Sequence, residues 1–552
     1  GVGHVVVAAA LVPNAGSVDS SVEVHAKLGE EVEQLLRAGL YDAALAALNL
    51  AGANDTLGGG LQIFRVCALA GLKRYAEALG LLQDIDRIAS GSVEREETDQ
   101  KEATTSDGEL EMCSHSDIKA LRLAVQRLQH QGESGSFDFS DVYGDALRAQ
   151  ASGQGASKLT WAETLLPTFA DFVGPVKLAA ADNGGRGLFA TADLQAGDVI
   201  FCATPLVLAP SNPQRRGANS VMQPLQHACT VSMHARRVIS ELLSDGIAGG
   251  APVCAVTELS WAGAEAAAKS GVKMPTDERL KRVAATNSFE DFGFIAIYPA
   301  VAMANHSCCP NAAVVPVGST VFIRANQAIK EGSEVCISYF DVLRPVAERE
   351  QLTRGWGFCC ACPRCDVERE LLPQSLQRPG CDAEQVDQWL NSPESCINAA
   401  SREAQWLRSS HMLAYRSRLE ALFPLGADAM QQRAQMLRGM EATDPASFTH
   451  VKFSYMDWLA KQSTGPQDEK QKAMRYCDLV HSSRYGRVPR EWLIPLVKET
   501  EVAIGDVGVG VEFCSTWRRP RVERPTPASS VAANSNSSGN VQQGGASVVL
   551  LD

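Results

Sequence analysis

No stretch of the sequence approaches the roughly 20 consecutive apolar residues that a membrane-spanning helix needs. The longest uncharged apolar run near the start, Val5 to Val12, is too short and has no basic segment before it, so no membrane partner is expected. Positive charge is also scarce. Lys and Arg total 51 against 64 Asp and Glu, a net charge of -13 over 552 residues, whereas a protein that coats nucleic acid is ordinarily basic. Direct nucleic-acid binding is therefore not expected. Position 1 is Gly rather than Met, which leaves a targeting signal open. What is present is ordinary for a globular chain: 45% hydrophobic and 21% charged residues. At roughly 150 residues per domain, three or four domains fit.

The sixteen cysteines are unevenly placed. Cys359, Cys360, Cys362 and Cys365 fall within seven residues, and Cys308-Cys309 form a pair upstream. In a large chain such crowding points to metal ligation in a reducing compartment, the nucleus or the cytoplasm, rather than to disulfides. C-x-C-x-x-C supplies three thiolates from one tight loop, and a closed tetrahedral zinc site needs a fourth.

The first third reads as helical. Tyr41 and Tyr75 each open a Tyr-x-x-Ala-Leu string, and they stand 34 residues apart, the period of tetratricopeptide repeats. Gly91 to Asp117 is polar and acidic, and is predicted to be a mobile insertion; Gly132 to Ser140 and Ala151 to Ser157 are predicted breaks. From Pro175 short β-rich runs take over. Gly187 to Thr191 and Val199 to Phe201 flank a turn, Val314-Val315 and Val321 to Ile323 form a hairpin, and a further strand leads to Tyr339. Pro210 to Arg282 is Ala-rich and helical. Helices are predicted again over Met430 to Ala460, Lys470 to Val480 and Trp492 to Val502, before a Pro/Ser/Asn/Gly-rich tail.

Gly185-Arg186-Gly187, Asn287-Ser288-Phe289, Tyr298-Pro299, Asn305-His306-Ser307-Cys308-Cys309-Pro310-Asn311, Ile337-Ser338-Tyr339 and the thiol string from Cys360 follow one another in that order. In this the sequence resembles the SET-domain protein-lysine methyltransferases, and most closely their SET- and MYND-domain (SMYD) branch. The resemblance spans about Gly184 to Cys365. It implies an α+β fold, with a mostly β SET domain of short strands and a knot-like crossing over 175–345, carrying a helical insertion at 211–282. A zinc-bound post-SET loop at 346–370 follows. Flanking parts are a helical, tetratricopeptide-like region at 20–150, a C-terminal helical domain at 371–515 and a disordered tail at 516–552. Cys308 becomes the expected fourth zinc ligand beside Cys360, Cys362 and Cys365, with Cys309 or Cys359 as possible substitutes by one residue.

The reaction implied is methyl transfer from S-adenosylmethionine to a lysine side chain of a histone or non-histone protein. A free lysine titrates near 10.4, so only roughly one in a thousand is neutral near pH 7. A narrow apolar channel and a positive sulfonium both disfavour the ammonium form, and alignment of the lone pair can then replace a strong base. The resemblance assigns Tyr339 to the junction of channel and cofactor, with Tyr298 near the channel and Trp356 along it. The cofactor is expected against Gly184, Gly185, Arg186, Asn287, Asn305, His306, Tyr339 and Phe358. One departure stands out: between Pro210 and Arg282 only Cys229, Cys254, His227 and His234 are available, too few for a MYND finger. The N-terminal repeats are the expected place for a protein partner instead. A catalytically silent scaffold is the competing expectation; such a protein need not gain heat stability from S-adenosylmethionine.

Overall fold

Apolar residues at helical spacing build the N-terminal part as two helix pairs, α1 (Val18–Arg37) with α2 (Tyr41–Ala51), and α3 (Gly59–Gly71) with α4 (Tyr75–Glu96). The same turn closes both. Gly39 N donates to Leu36 O and Leu40 N to Leu35 O, at 3.0 and 2.9 Å; 34 residues later Lys73 N donates to Ala70 O and Arg74 N to Leu69 O, again at 3.0 and 2.9 Å. Each turn has a residue of positive φ, Gly39 at 73° and Lys73 at 64°. Tyr41 and Tyr75 thus open the second helix of each pair. Gly71 has no room for a side chain, since a Cβ there would lie 2.3 Å from the Tyr41 ring.

The computed structural model describes residues 18–51, 59–96, 115–137, 165–181, 185–210, 218–244, 246, 252–268, 271–291, 294–317, 319–377, 381, 383–411, 427–485 and 548–549. Gly184, the break at 151–157 and the helix expected over 492–502 lie outside these residues. The segment expected to be mobile from Gly91 to Asp117 is helical at both of its ends, and residues 97–114 lie outside the described residues. Helix α4 runs on to Glu96 and α5 (His115–Ser134) begins before Asp117, because no Pro interrupts Ser92 to Glu96 and Asp117 sits in the first turn, where the helix dipole favours an acid.

Among the described residues the β region forms three small sheets. One is β1 (Phe172–Val173), β4 (Val199–Ala203), β10 (Thr320–Ala325) and β9 (Ala312–Val317). The second is β2 (Val176–Ala181), β3 (Gly185–Ala190), β11 (Glu334–Ile337) and β8 (Asn305–His306). The third runs β6 (Ser288–Asp291), β7 (Phe294–Ile297) and β5 (Val207–Pro210). The predicted hairpin is β9–β10, with Val315 opposite Phe322. Two residues of the tail expected to be disordered, Val548–Val549, instead pair in parallel with β6.

Between β5 and β6 the helices α6 (Met222–Val231), α7 (Met233–Arg237) and α8 (Asp277–Asn287) form the insertion. Thr276 caps α8 by accepting from Arg279 N, a role suited to a short hydroxyl side chain. The N-terminal pairs dock here: Asp42 Oδ2 accepts from Ser232 Oγ and His234 N, both at 3.0 Å, and Tyr41 meets Trp261 edge-on at 5.5 Å.

Within segment 346–370 the loop at 356–362, which carries Cys360 and Cys362, lies between two helices, α9 (Val346–Gly355) and α10 (Pro363–Leu371). Pro363 stands at the first turn of α10, where its missing N–H removes no helical bond. Further on come α11 (Ala383–Leu390), α12 (Arg402–Ser409), α13 (Ala427–Thr443), α14 (Phe448–Thr464) and α15 (Gln467–Tyr485). The stretch Met430 to Ala460 is thus two helices, broken where Ala446 takes φ 58° and Ser447 caps α14. Val451, Tyr455, Cys477 and Val480 of the last two helices share a core with Val315, Val317 and Phe322 of the first sheet.

Candidate active site

The site grows from one close approach. Strand β8 is only two residues long, yet it lies parallel to β11, with Asn305 opposite Cys336 and His306 opposite Ile337. Asn305 Nδ2 donates to Glu334 Oε1 at 2.7 Å and to Arg186 O at 3.1 Å. Gly187 lies beneath them, where a Cβ would fall 2.1 Å from Glu334 Oε1 and 2.9 Å from Asn305 Nδ2. A side chain at 187 would displace the Glu334 carboxylate and the Asn305 amide from each other. Asn311 closes the turn from the other side: its Oδ1 accepts from Cys336 N and its Nδ2 donates to Glu334 O, each at 2.8 Å.

His306 and Tyr339 are locked together. Tyr339 N donates to His306 Nδ1 at 3.1 Å, and the rings stand 5.3 Å apart. Because Nδ1 accepts, the ring proton of the neutral imidazole is on Nε2, 3.2 Å from Cys308 Sγ. Burial, the largest influence, drives the His306 pKa down to about 3, so the ring is neutral at physiological pH. The Tyr339 hydroxyl donates to Ala304 O at 2.8 Å. Burial, then Cys336 and Glu334, push its pKa well above the ordinary phenol range. It stays a phenol, and with its proton engaged it presents oxygen lone pairs.

Aromatic rings surround this pair. Trp356 meets Tyr339 at 5.7 Å and stacks on Phe340 at 6.0 Å, while Phe358 stands 6.0 Å from His306 and 6.3 Å from Tyr339. The buried Trp356 Nε1 has no acceptor among the described residues, and such an orphan in a built site calls for a ligand or a water.

The four cysteines Cys308, Cys360, Cys362 and Cys365 are buried, with their sulfurs all within 4.8 Å of one another. Tetrahedral zinc with bonds of about 2.3 Å needs sulfurs about 3.8 Å apart, and Cys308 and Cys360 are separated by 3.9 Å. A disulfide would bring sulfurs to about 2.05 Å. The residues fit a closed zinc site. Cys359 is exposed and Cys309 lies at the margin beside Ser307 Oγ at 3.6 Å, so neither displaces an expected ligand.

Other expected site residues are not drawn into this cluster. Asn287 is buried, and its Nδ2 donates to Ser244 O and Val283 O, both at 2.8 Å. Tyr298 is sealed in the core, its hydroxyl donating to Ser319 O at 3.0 Å and its ring packed on Phe289. Arg186 offers its carbonyl to Asn305, but its guanidinium donates to Leu242 O and Pro252 O in the insertion. Gly185 leaves open space where a side chain would be, and Gly184 lies outside the described residues. Glu334 and Phe340 were missed. Glu334 looks like an ordinary acid before a strand, and Phe340 simply follows Tyr339; only their partners single them out.

Residues 185–340 match the family pattern described as SET domain. This part of the chain is a SET domain. It is similar to N-lysine methyltransferase SMYD2 of Homo sapiens, 46% identical over 74 residues, 13% of this chain and 17% of that protein. It is also similar to SMYD2-B of Xenopus laevis, 42% identical over 76 residues, 14% and 18% of the two chains. The match therefore spans less than a fifth of either relative's length. The solved SET domain of LSMT, bound to lysine and AdoHcy, overlaps 60% of this chain and 88% of its own at 13% identity and a TM-score of 0.21. Among the described residues the four-cysteine set beside the SET domain is the one group suited to a metal. None of their helices is long and apolar enough to cross a membrane.

Proposed function

We propose that this chain is a protein-lysine N-methyltransferase using S-adenosylmethionine. The carrying observation is the Tyr339 phenol, whose proton is engaged by Ala304 while His306 holds its backbone. Asn305, His306, Tyr339 and Phe358 would hold the cofactor, and Gly185 leaves space for it. When bound, it supplies an electrophilic methyl on a cationic sulfur.

The protein's own part is to bind, orient and exclude water. A phenol that already donates to a carbonyl offers lone pairs to an incoming amine, aligning it without removing its proton. Trp356, Tyr339 and Phe340 would give an incoming amine apolar surroundings, which disfavour the ammonium form. His306 does not serve as a strong base here, because it is neutral and already accepts from backbone at Nδ1. Alignment of the neutral amine is what the site supplies. Structural zinc would pin Phe358 and Trp356 against the SET domain, without an open position for reaction.

The substrate is a protein lysine, on a histone or another protein. The helix pairs at 18–96 are read as tetratricopeptide-like and as the place where a protein partner is held. The unbridged cysteines favour the nucleus or the cytoplasm. The test is label transfer from S-adenosylmethionine onto histones and a cell extract, alongside thermal melting with the cofactor. Label on lysine and a rise in Tm support the enzyme; neither a Tm rise nor label would leave a silent scaffold.

A further inference from the structure

Behind the four cysteines lies a charge cluster with no part in the chemistry above. Arg349 on α9 and Arg364 and Glu368 on α10 have side chains 1%, 0% and 0% exposed. Glu368 Oε1 accepts from Arg364 Nε at 2.6 Å, and Oε2 lies 3.0 Å from Arg349 Nη2. Arg349 Nη2 also donates to Cys365 Sγ at 3.5 Å, and Arg349 Nη1 to Arg344 O. Arg364 Nη1 donates to Cys308 O at 3.0 Å and to Val342 O at 2.8 Å. At the rim, Arg369 donates to Cys360 O.

Two guanidinium groups against one carboxylate leave a surplus positive charge in a water-free place. A buried charge without a counter-charge costs several kcal/mol. Arg349 Nε and Arg364 Nη2 are moreover buried with no acceptor among the described residues. The missing negative charge is at hand in the cysteines, because four thiolates around one zinc ion leave a doubly anionic centre. We propose that Arg349, Glu368 and Arg364 are the counter-charge shell of the four-cysteine metal site. Arg349 neutralises it at Cys365. Arg364, bonded to both Cys308 O and Val342 O, ties metal occupancy to the chain just beyond Tyr339. Glu368, itself an anion, offsets part of the arginines' charge. These are positioning residues; the inference rests on the structural zinc and not on methyl transfer.

The test is zinc transfer to a chelator at fixed pH from the full chain, together with the thiolate-to-cobalt absorption of the cobalt-substituted protein. Loss of outer-shell partners typically weakens a metal site 10- to 100-fold. Arg349→Met is expected to release zinc at least about tenfold faster and to shift the cobalt band, while Arg349→Lys, which keeps the charge, stays near wild type. Glu368→Gln removes negative charge and is expected to release zinc no faster, even as the fold loses stability. Equal acceleration in Arg349→Met and Glu368→Gln would mean mere packing and overturn the proposal, as would a wild-type rate in Arg349→Met. Should Arg349→Met fail to fold, the other two decide: both near wild type supports the shell, and faster release from either overturns it. Methyl transfer is not among the readouts, so failure here and failure of the enzyme assignment remain distinguishable.

Discussion

The SET domain is gripped at two ends, and the grips use opposite chemistry. At the metal end α9 and α10 are held by four cysteines and two buried arginines around one glutamate. At the insertion end the N-terminal helix pairs dock through one carboxylate, Asp42, which accepts from Ser232 Oγ and His234 N, beside the apolar contact of Tyr41 with Trp261. Where four cysteines suited to a metal come together, the chain buries two arginines beside them. At the insertion end it buries one acid against neutral donors, and burial raises that acid's pKa. The first grip shapes the Tyr339 site through Cys308 and Val342; the second fixes the flanking helices and touches no site residue.

The largest effect is expected at the metal end. Cys362→Ser should reduce zinc from close to one per chain to none and remove cofactor binding with it, checked by metal analysis and calorimetry; a metal-free, folded wild type would break the comparison. Asp42→Ala comes next. It leaves Ser232 Oγ and His234 N without their acceptor, a loss of about 1–3 kcal/mol readable by denaturant unfolding, with zinc content unchanged.

Acid sharpens the contrast within the insertion grip. Burial, and then Arg237, lower the His234 pKa from 6.5 to about 3. The unfolded chain therefore takes up this proton first, and stability falls as pH drops from 6.5 towards 3, by up to about 1.4 kcal/mol per pH unit. Asp42 runs the other way: its raised pKa lets the folded chain take a proton before the unfolded one, so its cost fades as pH falls towards the ordinary carboxylate range. Unfolding measured from pH 7 down towards 4 should thus show a decline that is shallower in His234→Phe, and steeper in Asp42→Asn as the ordinary carboxylate range is approached. The smallest effect belongs to the repeated turn. Lys73→Gly should gain about 1 kcal/mol, because Lys73 holds φ 64° where its counterpart Gly39 is free to do so.

Local chemistry was legible in the sequence. The β9–β10 hairpin and the thiols of Cys360, Cys362 and Cys365 could be read from spacing and turn residues, while the Asn305 to Asn311 string and Cys308 as the fourth metal ligand were read from the family resemblance. Partners far apart in sequence could not. Asp42 meets Ser232 from 190 residues away, and nothing near either residue marks the pairing. Arg349 and Arg364 look like surface charges on polar helices until Glu368 and the cysteines are seen around them. Asn287 and Tyr298 teach the converse lesson, since motif position suggested ligand contacts while their hydrogen bonds go to Ser244, Val283 and Ser319. The cysteine loop at 356–362 was legible, but the helices on either side of it, α9 and α10, were hidden behind the thiol pattern.

The central claim is that an un-ionised phenol orients the amine at this site. Single-turnover methyl transfer by Tyr339→Phe tests it most directly, compared with wild type at matched cofactor saturation. The account predicts a fall of about a hundredfold or more in the rate, from lost alignment, with zinc content unchanged. An unaltered rate in the variant would contradict it.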